Sequence, residues 1–407
     1  MRSIRFIVPC LIASVFCSAQ TFAQEPIKIG FMYVFSGRLA HYGYGAKQGA
    51  ELAMSEINKA GGVNGRRLVG VYEDTKLLPE VGVEVAQKLV NQDRVDVLMG
   101  IVSSGVASAV APVADRLATP LIFTLAMTPD VTGKICNPYT FRVSQNGPQN
   151  MMGAAVLAAG MPVKKWITMG PDYLFGYQCW EYFQKFLRPK RADVSFASDA
   201  ETKYAPVSTM DFSEYIDGLV RSKADGILIS LYGGNLVDFV RQANNKKFFD
   251  GSRTILMNLA YSADVMFGLG LDMPKGVWLG GLYWFQANES ATNKRFVEDY
   301  LNAYKVFPDY NAHGAYSGVK AYSEAVAKAG STDKNKVIKA LQGLVLDLPV
   351  GTVTIRSGDH QAVVDSVWGL TSEFDGKLRC RMLNPMKVFS GPEITPSLED
   401  AGCKLRE

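Results

Sequence analysis

The sequence predicts an α/β fold made of two doubly wound, Rossmann-like lobes. Between residues 27 and 125, short continuous apolar runs alternate with segments whose apolar residues recur at helical spacing. This alternation is typical of a parallel sheet with helices on both faces. The alternation begins again after residues 138–144. The last third has too few extended segments for its own sheet, so we expect it to return and complete both lobes.

In the first lobe, each strand is a short apolar run and each helix carries its apolar side chains on one face. Pro79 fits the first turn of a helix, and the glycine-rich turn at 61–65 ends the helix before it. The predicted strands are 27–34, 68–72, 95–99 and 121–125, and the predicted helices are 44–60, 79–92 and 104–117.

The second lobe repeats this pattern, beginning with a helix from Asn146. Its predicted strands are 166–169, 193–196, 226–230, 254–257 and 277–282, with helices 173–187, 212–221 and 235–244. Helices at 293–306, 315–329 and 334–341 follow, and then extended segments at 350–355 and 362–368. We therefore predict an N-terminal lobe from 24–143 and 284–346, a C-terminal lobe from 144–283 and 347–395, and a tail at 396–407.

The N-terminus has the pattern of a secretory signal peptide. Arg2 and Arg5 precede an apolar run at 6–17, and small and polar residues lead to a cleavage site after Ala23. We therefore predict a signal peptide at 1–23 and export to the periplasm. Cys17 follows Phe16, a poor lipobox residue, which favours a free protein over a lipoprotein. No later stretch has the roughly 18 uninterrupted apolar residues of a membrane-spanning helix.

The composition excludes several functional classes. With 48% hydrophobic residues the chain is too apolar to be disordered. Its 43 basic and 39 acidic residues give a formal charge of +4, which falls to +2 when Arg2 and Arg5 are removed. So small an excess predicts no nucleic-acid partner.

Four cysteines remain after the predicted cleavage, namely Cys136, Cys179, Cys380 and Cys403. Four thiols in an oxidising compartment allow three complete pairings. We favour Cys380 with Cys403, because that bond would anchor a tail with little periodic structure. The wide spacing argues against a structural zinc site.

Common enzyme and cofactor motifs are missing. Neither H-E-x-x-H, G-x-S-x-G nor a P-loop occurs, and the glycines at 43, 45 and 49 have the wrong spacing and position for a dinucleotide site. We therefore predict no enzymatic activity, no metal and no cofactor.

The candidate binding residues of the first lobe follow its third and fourth strands. Ser103 and Ser104 begin the helix after the third strand, where hydroxyl and amide groups can bind a carboxylate or simply cap the helix. Ala126, Met127 and Thr128 follow the fourth strand. Ligands of open α/β sheets bind beside the carboxyl ends of the strands, so we expect these two loops to converge.

The second lobe contributes aromatic loops at the corresponding places. Its candidates are Tyr173, Phe175, Tyr177, Tyr232, Asn235, Ala260 and Tyr261. Polar helix starts on one lobe and aromatic loops on the other suit a small acid with an apolar or aromatic body.

Several motifs together resemble the leucine/isoleucine/valine-binding protein family. They are "IKIGFMYVFSGRLAHYG", "GAELAMSEINKAGGVNGRRL", "DVLMGIVSSGVASAVAPVAD" and "FTLAMTPDVT", and the resemblance extends from about residue 26 to about residue 389. These are type I periplasmic solute-binding proteins of ABC importers. The resemblance implies three crossover strands near 140–144, 279–284 and 346–352, hinge closure on a ligand, permease and ATPase partners, and a monomer.

The resemblance also implies individual contacts. The family's first-lobe contacts correspond to Tyr42, Ser103, Ser104, Ala126 and Thr128, and its second-lobe contacts correspond to Phe175, with Tyr173 alongside, and to Asn235 or Tyr232. The acid that pairs with the ammonium of amino-acid ligands is absent from residues 258–261, and Asp264 is the nearest carboxylate.

Burying an ammonium group without an anionic partner costs roughly several kcal/mol of free energy. This cost argues against α-amino acids as ligands. We therefore favour an aromatic carboxylate without an α-amino group, such as a benzoate or phenylpropenoid. The aromatic residues expected around it are Tyr173, Phe175, Tyr232, Tyr261, Tyr283 and Trp284. Branched-chain amino acids or amides are the alternative, and a ligand-sensing receptor module is a further one.

Overall fold

The computed structural model describes residues 25–405. The predicted signal peptide and Cys17 lie outside these residues, so the cleavage site and the absence of a lipid anchor stay predictions. Within residues 25–405 no helix combines the length and the apolar character needed to cross a membrane.

The first lobe contains a five-stranded parallel sheet in the order β2-β1-β3-β4-β5. Its elements are β1 (Ile27–Tyr33), α1 (Ala40–Lys59), β2 (Leu68–Asp74), α2 (Pro79–Asn91), β3 (Val97–Gly100), α3 (Ser104–Arg116), β4 (Leu121–Phe123) and β5 (Thr140–Arg142). All the side chains of β3 and β4 are buried, as their apolar runs predict for central strands of a parallel sheet, and those of the edge strand β5 are buried as well.

The second lobe contains an eight-stranded sheet that is parallel apart from its last hairpin. Its first elements are α4 (Gly147–Ala159), β6 (Lys165–Pro171), α5 (Leu174–Leu187), β7 (Ser195–Phe196), β8 (Lys203–Ala205), α6 (Ser213–Arg221), β9 (Gly226–Ile229), α7 (Gly233–Asn245), β10 (Thr254–Met257), α8 (Ala263–Leu269) and β11 (Trp278–Gly280). Strands β11, β10, β9 and β6 are adjacent in that order, and β6 pairs with both β7 and β8.

The last third of the chain adds elements to both sheets' surroundings: helices that pack on α1 and a hairpin that joins the second sheet. Helices α9 (Ala291–Tyr304) and α10 (Tyr310–Ala329) pack on α1, and α11 (Lys334–Leu341) packs on α10. A small antiparallel sheet follows, formed by β12 (Val345–Leu348), β13 (Gly351–Ile355) and β14 (Ala362–Val363). The hairpin of β15 (Ser366–Asp375) and β16 (Cys380–Phe389) then extends the second sheet through β11. Two single-turn helices, α12 (Gly391–Ile394) and α13 (Leu398–Ala401), end the described chain.

This architecture confirms the predicted fold class. The chain leaves the first sheet after β5, returns after β11 and joins the second sheet again at β15. The helix α8 and the strands β8, β12 and β16 were not predicted. Strand β16 was not predicted because most of its side chains are partly or fully exposed and its sequence contains Pro385, so it lacks the apolar pattern of a buried strand.

The disulfide prediction was wrong: Cys403 bonds to Cys136 and not to Cys380. Cys380 begins β16 with its side chain buried in the second lobe, and Cys179 is also a buried free thiol. The tail runs past both lobes before it reaches Cys136. Thr395 accepts a hydrogen bond of 2.8 Å from the Gln149 side chain on α4, and the Pro396 carbonyl accepts one of 2.7 Å from Arg356 beside the small sheet.

Candidate functional site

A small cavity of about 30 Å³ lies where residues of the two lobes meet. The carboxyl ends of parallel strands in both sheets supply most of its wall, and the start of α10 contributes as well. The lining contains no charged side chain. It consists of Tyr42, Val102, Ser104, Leu125, Met127, Tyr173, Phe175, Tyr232, Leu259, Leu282, Tyr310 and Asn311.

On the first lobe, a tight turn after β3 places the start of α3 against this cavity. Gly100 has a φ of 130°, and a Cβ added there would lie 2.6 Å from the Met32 carbonyl oxygen, so the position requires glycine. The carbonyls of Gly100 and Ile101 accept hydrogen bonds from Thr124 and Ala126 rather than from α3. Ser103 is the N-cap, but its side chain makes no capping bond. The first amides of α3 are therefore available to a ligand.

Two further helix starts reach the cavity from the second lobe. Tyr173 is the N-cap of α5 and Tyr232 is the N-cap of α7, and neither side chain caps its helix. Their hydroxyl groups instead hydrogen-bond to each other at 3.0 Å. The Phe175 ring packs edge-on against Tyr232 with 5.7 Å between ring centroids. Three helix N-termini without side-chain caps thus surround a cavity with no charged wall, an arrangement that favours an anion.

The lobes touch directly at this point. The Tyr42 and Tyr232 rings lie 6.1 Å apart, and the Tyr310 hydroxyl donates a 2.6 Å hydrogen bond to that of Tyr42. Gly233 has a φ of 53°, and a Cβ built there would lie 2.9 Å from the Tyr42 hydroxyl oxygen. Only glycine therefore lets α7 approach Tyr42 this closely.

The phenols of the cavity are neutral at neutral pH, and burial disfavours their ionisation further. Burial raises the pKa of Tyr42, Tyr173, Tyr232 and Tyr310 above the ordinary tyrosine value. At neutral pH these hydroxyl groups therefore remain able both to donate and to accept hydrogen bonds.

Two ion pairs connect the lobes beside the cavity. Arg38 contacts Asp238 at 2.6 Å, and the Nε2 atom of His41 contacts Asp264 at 3.2 Å. Burial alone would lower the pKa of His41, but the hydrogen bond and charge of Asp264, together with the charge of Asp309, raise it overall. Burial raises the pKa of Asp309 to about 6. Asp264 also accepts a hydrogen bond from the Ser262 hydroxyl and does not line the cavity.

Six of the predicted binding residues line the cavity: Tyr42, Ser104, Met127, Tyr173, Phe175 and Tyr232. Six others lie beside it or farther away. Ser103 precedes α3, the Ala126 amide is bonded to the Ile101 carbonyl, and the Thr128 hydroxyl accepts from the Asp130 amide at the start of a 3-10 helix. Asn235 is buried in the first turn of α7.

The remaining two, Tyr261 and Trp284, line a separate cavity of about 260 Å³ beside the crossover segments, together with Tyr283. The Tyr261 hydroxyl donates to the Gly281 carbonyl at 2.7 Å. Leu282 lines both cavities, so the two adjoin, and a role of Tyr261 and Trp284 in binding stays a prediction.

Sequence reasoning missed half of the cavity wall, namely Val102, Leu125, Leu259, Leu282, Tyr310 and Asn311. The first four are apolar neighbours of predicted positions. Tyr310 and Asn311 begin α10, and the available signal was Asp309, whose side chain caps that helix through the Ala312 amide at 2.8 Å. Asn311 donates to Asp309 at 2.9 Å, while its own side-chain oxygen is buried with no partner among the described residues.

Comparisons with known proteins agree with this architecture. The family model described as "Periplasmic binding protein" matches residues 26–373. The Leu/Ile/Val-binding protein homolog 3 of Brucella melitensis is 26% identical over 349 residues, which are 83% of this chain and 89% of the relative.

Solved structures show the same fold. The amino acid ABC transporter substrate-binding protein from Pseudomonas fluorescens Pf-5 has a TM-score of 0.82 at 25% identity, and the match covers 94% of this chain and 100% of that one. A solute binding protein of an ABC transporter from Rhodopseudomonas palustris BisB5, in complex with 3,4-dihydroxy benzoic acid, has a TM-score of 0.79 at 22% identity. That match covers 90% of this chain and 98% of the other.

Proposed function

The chain belongs to the periplasmic binding protein family, and on that basis we propose that it captures a small carboxylate, preferably an aromatic acid, for an ABC importer. The family membership confirms the resemblance seen in the sequence motifs. Hinge closure of the two lobes would enclose the ligand, and the closed protein would present it to a membrane permease and its ATPase.

The observation that carries this proposal is the meeting of three uncapped helix N-termini at one uncharged cavity. Helices α3, α5 and α7 begin there, at Ser104, Leu174 and Gly233, and each N-cap side chain leaves the first-turn amides free. Partial positive charge at each helix start stabilises an anion. Ser104 adds a hydroxyl group, so a carboxylate finds both hydrogen-bond donors and a favourable potential.

The wall of the cavity supports an aromatic body for this acid. Tyr42, Tyr173, Phe175, Tyr232 and Tyr310 provide ring faces and edges, and four of them also provide hydroxyl groups for polar substituents. The Rhodopseudomonas palustris relative is a complex with a dihydroxylated benzoic acid, which is consistent with this choice of ligand.

The present cavity holds only a few water molecules, since one water needs about 10–15 Å³. An aromatic acid therefore requires the rings to move apart or the lobes to open before it binds. The direct contact of Tyr42 with the start of α7 is the interface that must separate.

Branched-chain amino acids or amides remain the second candidate, because curated relatives carry Leu/Ile/Val-binding names. Their ammonium group needs an anionic partner. The cavity wall has none, and Asp264, the nearest candidate in the sequence, is already bonded to His41 and Ser262. This leaves the aromatic acid as the better fit.

A thermal-shift panel of benzoates, cinnamates and branched-chain amino acids tests the ligand class. A ligand that binds only the folded protein raises its melting temperature. We expect the largest shift with an aromatic acid. A larger shift with leucine or valine than with any benzoate or cinnamate would exclude the aromatic preference.

Ser104→Ala tests the carboxylate site, with Ser103→Ala as the matched control. Removing one hydroxyl donor to a charged ligand group should weaken binding by about 1.5–3 kcal/mol. Ser103 is the neighbouring serine, but its side chain caps nothing and lies off the cavity wall. Calorimetry with the acid found in the panel should show a loss for Ser104→Ala alone. Equal affinity of both variants and wild type would place the carboxylate elsewhere.

A further inference from the structure

The last residue of β5, Arg142, carries a buried positive charge without a charged partner. Its side chain is fully buried, and its one hydrogen bond runs from Nη2 to the Thr128 carbonyl at 2.6 Å. Its Nε and Nη1 atoms are buried and have no acceptor among residues 25–405. No carboxylate in that range forms an ion pair with it, and its guanidinium carbon lies 5.7 Å from the centre of the Phe123 ring.

The groups packed around this arginine offer no compensating charge. The Arg142 backbone amide bonds to the His360 carbonyl, and burial lowers the pKa of His360 to about 4, so that its imidazole is neutral. The side chain of Gln361, the residue after His360, forms hydrogen bonds with three uncharged side chains, those of Thr132, Asn146 and Gln149. Asp130 lies near the same loop, but its carboxylate faces Lys134 and Gln178.

A buried guanidinium in this position lowers the stability of the protein unless an anion lies close enough to compensate its charge. Burial lowers the pKa of Arg142 to about 9, yet the group is still charged at neutral pH. Unpaired buried charges strongly destabilise a protein, whereas a nearby anion offsets much of that cost. Arg142 stands at the carboxyl end of the edge strand of the first sheet, directly behind Thr128, and Met127 beside Thr128 forms part of the cavity wall.

We propose that Arg142 is a positioning residue whose charge acts from behind the 126–128 loop to select an anionic ligand over its neutral isostere. The inference rests on the proposed function, because the anion that completes the charge is the ligand's carboxylate. Arg142 fixes the loop through the Thr128 carbonyl and contributes a positive potential that the helix N-termini reinforce. It makes no direct contact with the ligand.

The test compares acid and amide forms of the same ligand in charge-changing variants. Benzoate and benzamide form one pair, and leucine and leucinamide form the other, so that either ligand class can be measured. Arg142→Met removes the charge and keeps the length of the side chain, whereas Arg142→Lys keeps the charge. Arg381→Met is the matched control, because among the described residues Arg381 also hydrogen-bonds only to backbone carbonyls, those of Met273 and Ser372, but it lies in the second lobe and does not line the cavity.

We expect Arg142→Met to reduce the acid-to-amide affinity ratio at least tenfold, mainly through weaker binding of the acid. Arg142→Lys should retain more of the ratio, and Arg381→Met should leave it unchanged even if its melting temperature falls. If Arg142 had only a structural role, Arg142→Met would weaken the binding of acid and amide equally. An unchanged acid-to-amide affinity ratio in Arg142→Met would therefore overturn the inference while the proposed function stands. If wild type binds no carboxylate, both fall.

Discussion

His41 and Asp264 join the lobes through a pair that depends on protonation. His41 lies near the start of α1 and Asp264 in the first turn of α8, with 3.2 Å between their charged atoms. Burial lowers the pKa of His41, but contact with Asp264 of the second lobe helps to raise it overall, so we expect the protein to bind a proton more tightly when the lobes touch than when they separate. The pair therefore favours closure at mildly acidic pH.

This linkage predicts a ligand affinity that declines as the pH rises. The contribution of a group with a raised pKa is complete below its ordinary value, near 6.5 for histidine, and is lost as the pH passes its raised value. Calorimetry from pH 6.5 upward should show weaker binding with increasing pH, and His41→Gln should remove most of this slope. Arg38→Gln removes the other ion pair between the lobes and leaves His41 and Asp264 in place, so this variant should keep the slope and serves as the control.

Individual site residues were predictable where a strand ends and a helix begins. Ser104, Tyr173 and Tyr232 were found because each follows a recognisable buried strand, and parallel strands bring such positions together. Tyr310 and Asn311 were not found, because they reach the cavity from a helix of the returning segment. Nothing local in the sequence indicates which side of α1 that helix packs on.

The start of α4 is the most completely capped helix end near the crossover segments. Asn146 accepts a 3.0 Å hydrogen bond from the Gln149 amide, and the Gln149 side chain accepts one of 2.9 Å from the Asn146 amide. The Asn146 side chain also donates to the buried Gln361 at 3.1 Å. One residue therefore links the helix to the segment before β14.

Asn146→Ala should destabilise the protein by more than an ordinary cap does. Loss of the cap costs about 0.5–2 kcal/mol, and the Gln361 oxygen loses one of its donors as well. Ser290→Ala at the start of α9 is the comparison, because Ser290 makes only a simple cap with the Asn293 amide at 3.1 Å. Urea unfolding should show the larger loss for Asn146→Ala. An equal or smaller loss would mean that the link to Gln361 contributes nothing.

Elements with a strong apolar pattern were predicted well, and exposed or short ones were not. The four strands predicted for the first lobe deviate from the observed bounds by at most two residues at either end. Helix α10 begins five residues before the predicted start, because the Asp309 cap and not the apolar face sets its first turn. The extended segment predicted at 362–368 covers only the start of β15, and β16 was missed, because this hairpin is stabilised by pairing across the sheet, which is a non-local interaction.

At the scale of the whole molecule, the C-terminal tail adds a fourth connection between the lobes. The family model ends at residue 373, so β16, the tail and Cys403 lie beyond the matched region. The tail contacts α4 through Thr395 and the small sheet through Pro396, and the Cys136–Cys403 bond fixes its end on the first lobe. The spacing of the cysteines alone could not predict this pairing, because the pairing depends on where the chain lies after the β15–β16 hairpin.

Replacing Cys136 and Cys403 with serine should lower stability and let the ligand-free lobes separate more widely. Disulfides commonly contribute about 2–4 kcal/mol. Either single substitution should cost about as much as the double one, because only one bond is lost. Thermal unfolding measures the first effect, and the radius of gyration from X-ray scattering measures the second. An unchanged radius of gyration would show that the tail stabilises the first lobe without limiting the hinge.

The same bond has a consequence for chain cleavage. Residues 136 and 403 are 267 positions apart, and their bond closes nearly two thirds of the chain into a covalent ring. A single protease cut anywhere inside that ring leaves one covalent molecule. On a non-reducing gel the nicked chain would stay together as one molecule, and its two fragments would separate only after reduction.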